Sequence, residues 1–189
     1  MTTRLNTLIV VLLLSATVSA QEDVQARMQA WSRALGVECT HCHVAGAWTD
    51  GSKPVFEFAQ RMNRMVSALN AGPLEELGGI TCWTCHRGRP APPRLPRESW
   101  EHIRADHIAE FADRPNRAIA MSVYAASLGV DCTHCHDTDR TLNTKAPKAI
   151  VPKMNAIFEE IPKHFDDKRR PVTQCFMCHQ GKTKPERAP

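Results

Sequence analysis

Tyr124 is the only tyrosine among 189 residues, and all aromatic side chains together make up 6% of the chain. Aromatics bury the largest apolar areas of any residues, so a side-chain core built here is small. Long apolar runs are also missing. The stretch from Leu8 to Leu14 falls far short of the roughly 20 residues of a membrane-spanning helix, and no other stretch is more apolar. Charge of one sign is not in excess: 24 basic residues face 20 acidic ones, for a net +4. No nucleic-acid motif accompanies that small positive charge, which excludes a nucleic-acid partner. Nor is there a spare cysteine, since all eight fall inside Cys-x-x-Cys-His motifs. A disulfide framework has no reason to place its cysteines in that pattern four times over. Zinc ribbons do not require the trailing His, and no strand-helix-strand frame points to a thioredoxin-like site.

What the chain does contain is a duplication. Residues 28–43, MQAWSRALGVECTHCH, return as MSVYAASLGVDCTHCH at 121–136. Met28 to Met121, Cys39 to Cys132 and Cys82 to Cys175 are each separated by 93 residues, and Met62 to Met154 by 92. One unit has been repeated almost without gaps. Each reads as helix, motif, helix, motif. Val24, Met28, Trp31 and Leu35 share a face at helical spacing, and Gly36 stops that helix. Met121, Tyr124 and Leu128 form the matching face before Gly129. Pro54 opens a second helix to about Asn70, PVFEFAQRMNRMVSALN, which aligns with PKAIVPKMNAIFEEI from Pro147. Ser99 to Phe111 is expected to be helical as well.

Cys-x-x-Cys-His is the attachment signature of a c-type haem. Two thiols add to the two vinyl groups of the porphyrin, and the adjacent His becomes the proximal iron ligand. The motifs therefore predict four covalent haem c groups, held by Cys39 and Cys42, Cys82 and Cys85, Cys132 and Cys135, and Cys175 and Cys178. The proximal ligands are His43, His86, His136 and His179. Methionine supplies the sixth positions. A Met on an apolar helix face is ordinarily flexible filling, but Met28, Met62, Met121 and Met154 recur at matched distances, one ahead of each motif. They are read as the distal ligands. Met65 has Ile157 as its counterpart, and Met177 lies inside a motif, so neither is assigned. His41, His134, His102, His107 and His164 are read as polar or surface residues. Imidazole and thioether fill all six positions, favour the ferrous state and leave no place for a substrate. That argues for electron transfer without a catalytic residue.

The expected architecture is mainly α: two tandem dihaem units, helix-haem-helix-haem, with the porphyrins as core. Residues 1–20 have the order of a secretory signal, Arg4 before the apolar run and Val18-Ser19-Ala20 after it, which places the mature protein in a bacterial periplasm. Retention of the segment as an anchor is the other reading. Unit 1 is expected over 21–88, a proline-rich linker over 89–98, unit 2 over 99–181 and a flexible tail over 182–189.

The Met helix leading into LGVxCxxCH, the basic-Met-Asn helix (Arg61-Met62-Asn63, Lys153-Met154-Asn155) and CWTCHRG at 82–88 resemble the tetrahaem cytochrome c subunit of photosynthetic reaction centres and exported cytochromes sharing that domain. The resemblance covers nearly all of the chain after residue 20. It implies helices lying parallel to haem planes and distal Met ligands matching Met28, Met62 and Met121. The family's fourth haem takes a distal His from an earlier segment. Here no His lies between Met62 and Cys82, and Met154 holds that place by repeat symmetry. The implied function is relay of electrons between redox partners, a membrane donor or acceptor, with peripheral membrane association. The alternatives are an electron donor subunit to a reaction centre and a multihaem reductase of a small molecule such as nitrite.

Overall fold

Two of the glycines predicted to end helices also set how the chain packs, and they are the best entry to the fold. In the computed structural model, which describes residues 23–106, 115–139, 141–142, 144–166 and 174–189, the first helix, α1, occupies residues 23–35. Gly36 follows with φ of 64°, the left-handed region where glycine pays no Cβ penalty. Its N–H donates to the Arg33 carbonyl and that of Val37 to the Ser32 carbonyl, which is the double bond of a Schellman cap. Gly129 repeats the device at φ 66°, with Val130 N–H on the Ala125 carbonyl at 3.1 Å.

The remaining helices are α2 (Pro54–Ala71), α3 (Cys82–His86), α4 (Glu98–Asp106), α5 (Pro115–Leu128), α6 (Ala146–Glu160) and α7 (Cys175–His179). Pro54 begins α2, where its missing N–H costs nothing. Pro152 lies inside α6 and removes one internal hydrogen bond there. Among the described residues the only β pairing is an isolated bridge between Val44 and Ala47. The helix expected over 99–111 is α4 as far as Asp106; residues 107–114, like the signal segment 1–20, lie outside the described residues.

The two halves of the chain meet along α2 and α6 and again at α3 and α7. Phe58 and Phe165 pack with ring centroids 5.4 Å apart. Lys153 pairs with Glu76 at 2.5 Å and Arg61 with Asp166 at 3.3 Å. These ion pairs are exposed to solvent and contribute little; the ring contact, with Phe165 buried, matters more. The proline-rich connector is docked as well as extended. Leu95 is buried, and its N–H donates to Gln174 Oε1 at 3.2 Å.

Side chains alone make a thin core. Among the described residues the buried apolar positions are Ala34, Leu69, Leu74, Leu95, Ala125 and Phe165. Two of these six are alanines, whereas a chain of this length normally buries most of its large apolar residues. The faces of α1, α2, α5 and α6 that carry Met28, Met62, Met121 and Met154 are only half covered by protein.

A Cβ on Gly36 would stand 2.1 Å from the Gly88 carbonyl oxygen, whereas one on Gly46, also at positive φ, meets nothing within 4 Å. Gly46→Ala is expected to cost about 1–2 kcal/mol from backbone strain alone. Gly36→Ala should cost about 2–5 kcal/mol, since overpacking against rigid main chain is added. Denaturant midpoints of the two variants check the difference.

Candidate functional site

The four motifs adopt two geometries that alternate along the chain. In the first and third, Cys39–His41 and Cys132–His134 each form one 3-10 turn. Asp131 caps the third, accepting from Thr133 N–H at 2.9 Å and His134 N–H at 3.2 Å. Lys53 and Lys145, the residues just ahead of α2 and α6, donate their ammonium groups to the carbonyls of Thr40 and Thr133. Each second helix is thereby tied to the motif before it. The His43 ring meets Phe56 edge-on, with centroids 5.3 Å apart, and Trp48 at 6.1 Å. Its Nδ1 is buried and has no hydrogen-bond partner, which costs free energy unless another group satisfies it.

The second and fourth motifs are single α-turns, α3 and α7. Thr81 and Thr84 form a reciprocal capping box on α3; Gln174 and Met177 form its counterpart on α7, with Gln174 N–H on the Met177 sulfur at 3.4 Å. The loop leading into α3 is clamped by Asn70, whose amide donates to the Ile80 carbonyl at 2.9 Å and accepts from Ile80 N–H at 2.7 Å. Both turns end in a residue at φ 48°, Arg87 and Gln180, followed by Gly88 and Gly181 at positive φ. That reversal aims the main chain back at the motif histidine. His86 Nδ1 lies 2.9 Å from the Arg89 carbonyl and His179 Nδ1 2.9 Å from the Lys182 carbonyl. A carbonyl only accepts, so Nδ1 carries the proton in both rings and Nε2 keeps its lone pair. This is the arrangement by which a protein orients a metal-ligating imidazole. Burial lowers the pKa of both rings, partly offset by the carbonyls they face; for His179 the nearby Arg87 cation acts in the same direction as burial. Burial likewise raises the thiol pKa of Cys82 and Cys175.

Hydrogen bonds to main-chain carbonyls join the motifs to neighbouring helices and to each other. Gly88 N–H donates to the Ala34 carbonyl at 2.8 Å, fastening the end of α1 to the second motif, and Gly181 N–H to the Ser127 carbonyl at 2.9 Å, fastening α5 to the fourth. The second and fourth motifs then meet each other. Arg87 Nη2 donates to the Cys178 carbonyl at 2.9 Å, and Gln180 Nε2 reaches the Cys85 carbonyl at 3.4 Å. The contact is reciprocal between equivalent residues, as at a two-fold axis.

At that axis the structure departs from the expectation that every motif sulfur goes to a vinyl group. Cys85 and Cys178 are joined in a disulfide, with their Cα atoms 4.2 Å apart and a sequence separation of 93, and the other six cysteines form no disulfide. The reason is geometric: α3 and α7 cross at their second cysteines. A sulfur in a disulfide cannot carry a thioether, so attachment at these two positions requires the bond to be opened first.

Met28, Met62, Met121 and Met154 sit half-buried on α1, α2, α5 and α6, each on the helix preceding a motif. Met65 is half-buried one turn beyond Met62. Among the described residues no three His, Cys, Asp or Glu side chains gather as a metal site, and no helix is long and apolar enough to cross a membrane. Sequence reasoning did not find Arg87, Gln180, Asn70 or Gln174. Only the first two left a signal, their equivalence across the repeat.

A mainly helical chain with four Cys-x-x-Cys-His motifs, two of which hold an orienting bond on their histidine, has features of c-type cytochromes, a class that carries covalently bound haem. Similarity to known proteins agrees. The chain is 27% identical to the photosynthetic reaction center cytochrome c subunit of Thermochromatium tepidum across 78% of its length. It is 25% identical, again across 78%, to the protein of the same name from Rubrivivax gelatinosus (strain NBRC 100245 / IL144). It spans 52% and 58% of those two relatives, about half of each. No protein-family profile matches the chain.

Alkylating the haem-free chain without reductant should label the six cysteines outside the disulfide and leave Cys85 and Cys178 as one linked peptide pair, read by mass spectrometry. Labelling of all eight would show the crossing to be open in solution.

Proposed function

We propose that this chain is an exported tetrahaem c-type cytochrome that relays electrons between redox partners. The observation that carries the reading is the bond from Nδ1 of His86 and of His179 to a main-chain carbonyl, because it leaves each Nε2 free and aimed as an iron ligand. Fit to haem is supported once more: the methionine-bearing helix faces are only half covered by protein.

In this reading the eight motif cysteines hold four haems by thioethers, His43, His86, His136 and His179 are proximal, and Met28, Met62, Met121 and Met154 are distal. Bound haem supplies reversible one-electron chemistry. The protein holds the ligands rigid, excludes water from the ring faces and leaves no open coordination position. Hydrogen bonds link α1, the helix ahead of the first motif, to the second motif, the second to the fourth, and the fourth to α5, the helix ahead of the third, which supports a row of redox sites in the order first, second, fourth, third. Two helix-haem-helix-haem units over 21–88 and 99–181 with porphyrin as core, a cleaved segment 1–20 and a periplasmic location complete the proposal.

A narrower reading, electron donation to a photosynthetic reaction centre, is favoured by the name both relatives carry. Flash-induced oxidation of the protein in membranes of its host would separate it from general electron transfer.

The purified mature protein should show four haems by mass and, in the ferric state, the weak long-wavelength band of sulfur ligation, with no response of the reduced form to carbon monoxide. Met28→Ala should make one haem in four bind carbon monoxide. Fewer haems, or carbon monoxide binding by the unaltered protein, overturns the assignment.

A further inference from the structure

The two inner motifs are related by an approximate two-fold axis, yet their neighbours across that axis differ in charge. The fourth motif receives Arg87, whose guanidinium donates to the Cys178 carbonyl at 2.9 Å and is 13% exposed. The second motif receives Gln180, a neutral amide reaching the Cys85 carbonyl at 3.4 Å and the Met177 carbonyl at 3.1 Å. We propose that Arg87 sets the potentials of the two inner haems apart, holding the haem of the fourth motif at a higher reduction potential than that of the second. The inference rests on the haem reading above.

The physical argument is electrostatic. Adding an electron to a haem lowers its charge by one, so a fixed cation close to its attachment loop stabilises the reduced form. The effect is larger where water is excluded, and neighbouring groups are a recognised means of tuning a metal's potential. A guanidinium is a permanent cation in proteins. Its countercharge is Glu186, 3.7 Å away, half exposed and shared with Lys182 at 3.1 Å. That carboxylate faces solvent and is screened, whereas Arg87 Nε is buried without a partner, so neutralisation is incomplete. The hydrogen bond of Arg87 Nη2 to the Cys178 carbonyl places the guanidinium against the fourth motif. The contact is to the carbonyl of Cys178 and does not depend on how that residue's sulfur is bonded. The consequence is directional: of two otherwise equivalent sites in contact, the fourth is the better electron acceptor.

The chain itself supplies the control substitution, since Gln180 holds the same φ of 48° at the equivalent position; Arg87→Gln therefore asks nothing new of the backbone. Haem content and visible spectrum of the unaltered protein are measured first, and fewer than four haems would sink the reading on which this rests. Redox titration of the tetrahaem protein then tests the inference. Arg87→Gln should lower one of the four midpoint potentials and leave the other three in place. Glu186→Gln, at an exposed position, should raise that same potential. Gln180→Arg should raise a different one. The proposal is overturned if Arg87→Gln moves none of the four or all four together, or if Glu186→Gln leaves the titration unchanged. It is equally overturned if Arg87→Gln and Gln180→Arg act on the same potential. Should Arg87→Gln lose haem, the opposite-sign shift from Glu186→Gln decides.

Discussion

A hydrogen bond from Gly88 N–H to the Ala34 carbonyl, and its repeat from Gly181 to Ser127, hold the rest of this structure in place. Each joins the end of a methionine-bearing helix to the motif that follows the next helix, bridging more than fifty residues of chain. Such main-chain bonds form only where two backbones can touch. Gly36 and Gly129 make that possible, because a Cβ at either would stand within 2.3 Å of the opposing carbonyl oxygen. Their left-handed conformation and lack of a side chain serve two purposes at once: they end a helix, and they admit a second strand of main chain at the same point.

From those two joints the motifs follow as rigid consequences. The helical turns at Cys82 and Cys175 reverse at Arg87 and Gln180, and the reversal places a carbonyl against each motif histidine. Imidazole orientation is thus decided by main chain, which does not rotate, rather than by another side chain. The same reversal pushes Arg87 and Gln180 across the axis onto the opposite motif. Orientation of the two imidazoles and contact between the halves are two results of one backbone device. The single disulfide at this point, Cys85 to Cys178, marks how closely the halves approach.

The sparse side-chain core fits this economy. Among the described residues the buried apolar positions number six, two of them alanine, which is little to set against the conformational entropy of ordering them. The half-covered helix faces are where an apolar group of porphyrin size would complete the burial. This makes the scarcity of aromatic residues and the abundance of Cys-x-x-Cys-His motifs two sides of one composition.

Much of this was legible in the residues. The 93-residue repeat, the helix stops at Gly36 and Gly129, the start of α2 at Pro54 and the four Cys-x-x-Cys-His motifs are local patterns, and local patterns are dictated by short-range sterics and by the valence of thiol and imidazole. Composition likewise announced that side chains would not fill the interior. Tertiary structure alone decided the rest: that the second motif meets the fourth rather than the third, that Leu95 docks the proline-rich connector on Gln174, and that a cation faces one inner motif and a neutral amide the other. Those are contacts between residues about 80 to 95 positions apart. No spacing rule reaches that far, because their energy exists only once both backbones have already been brought together.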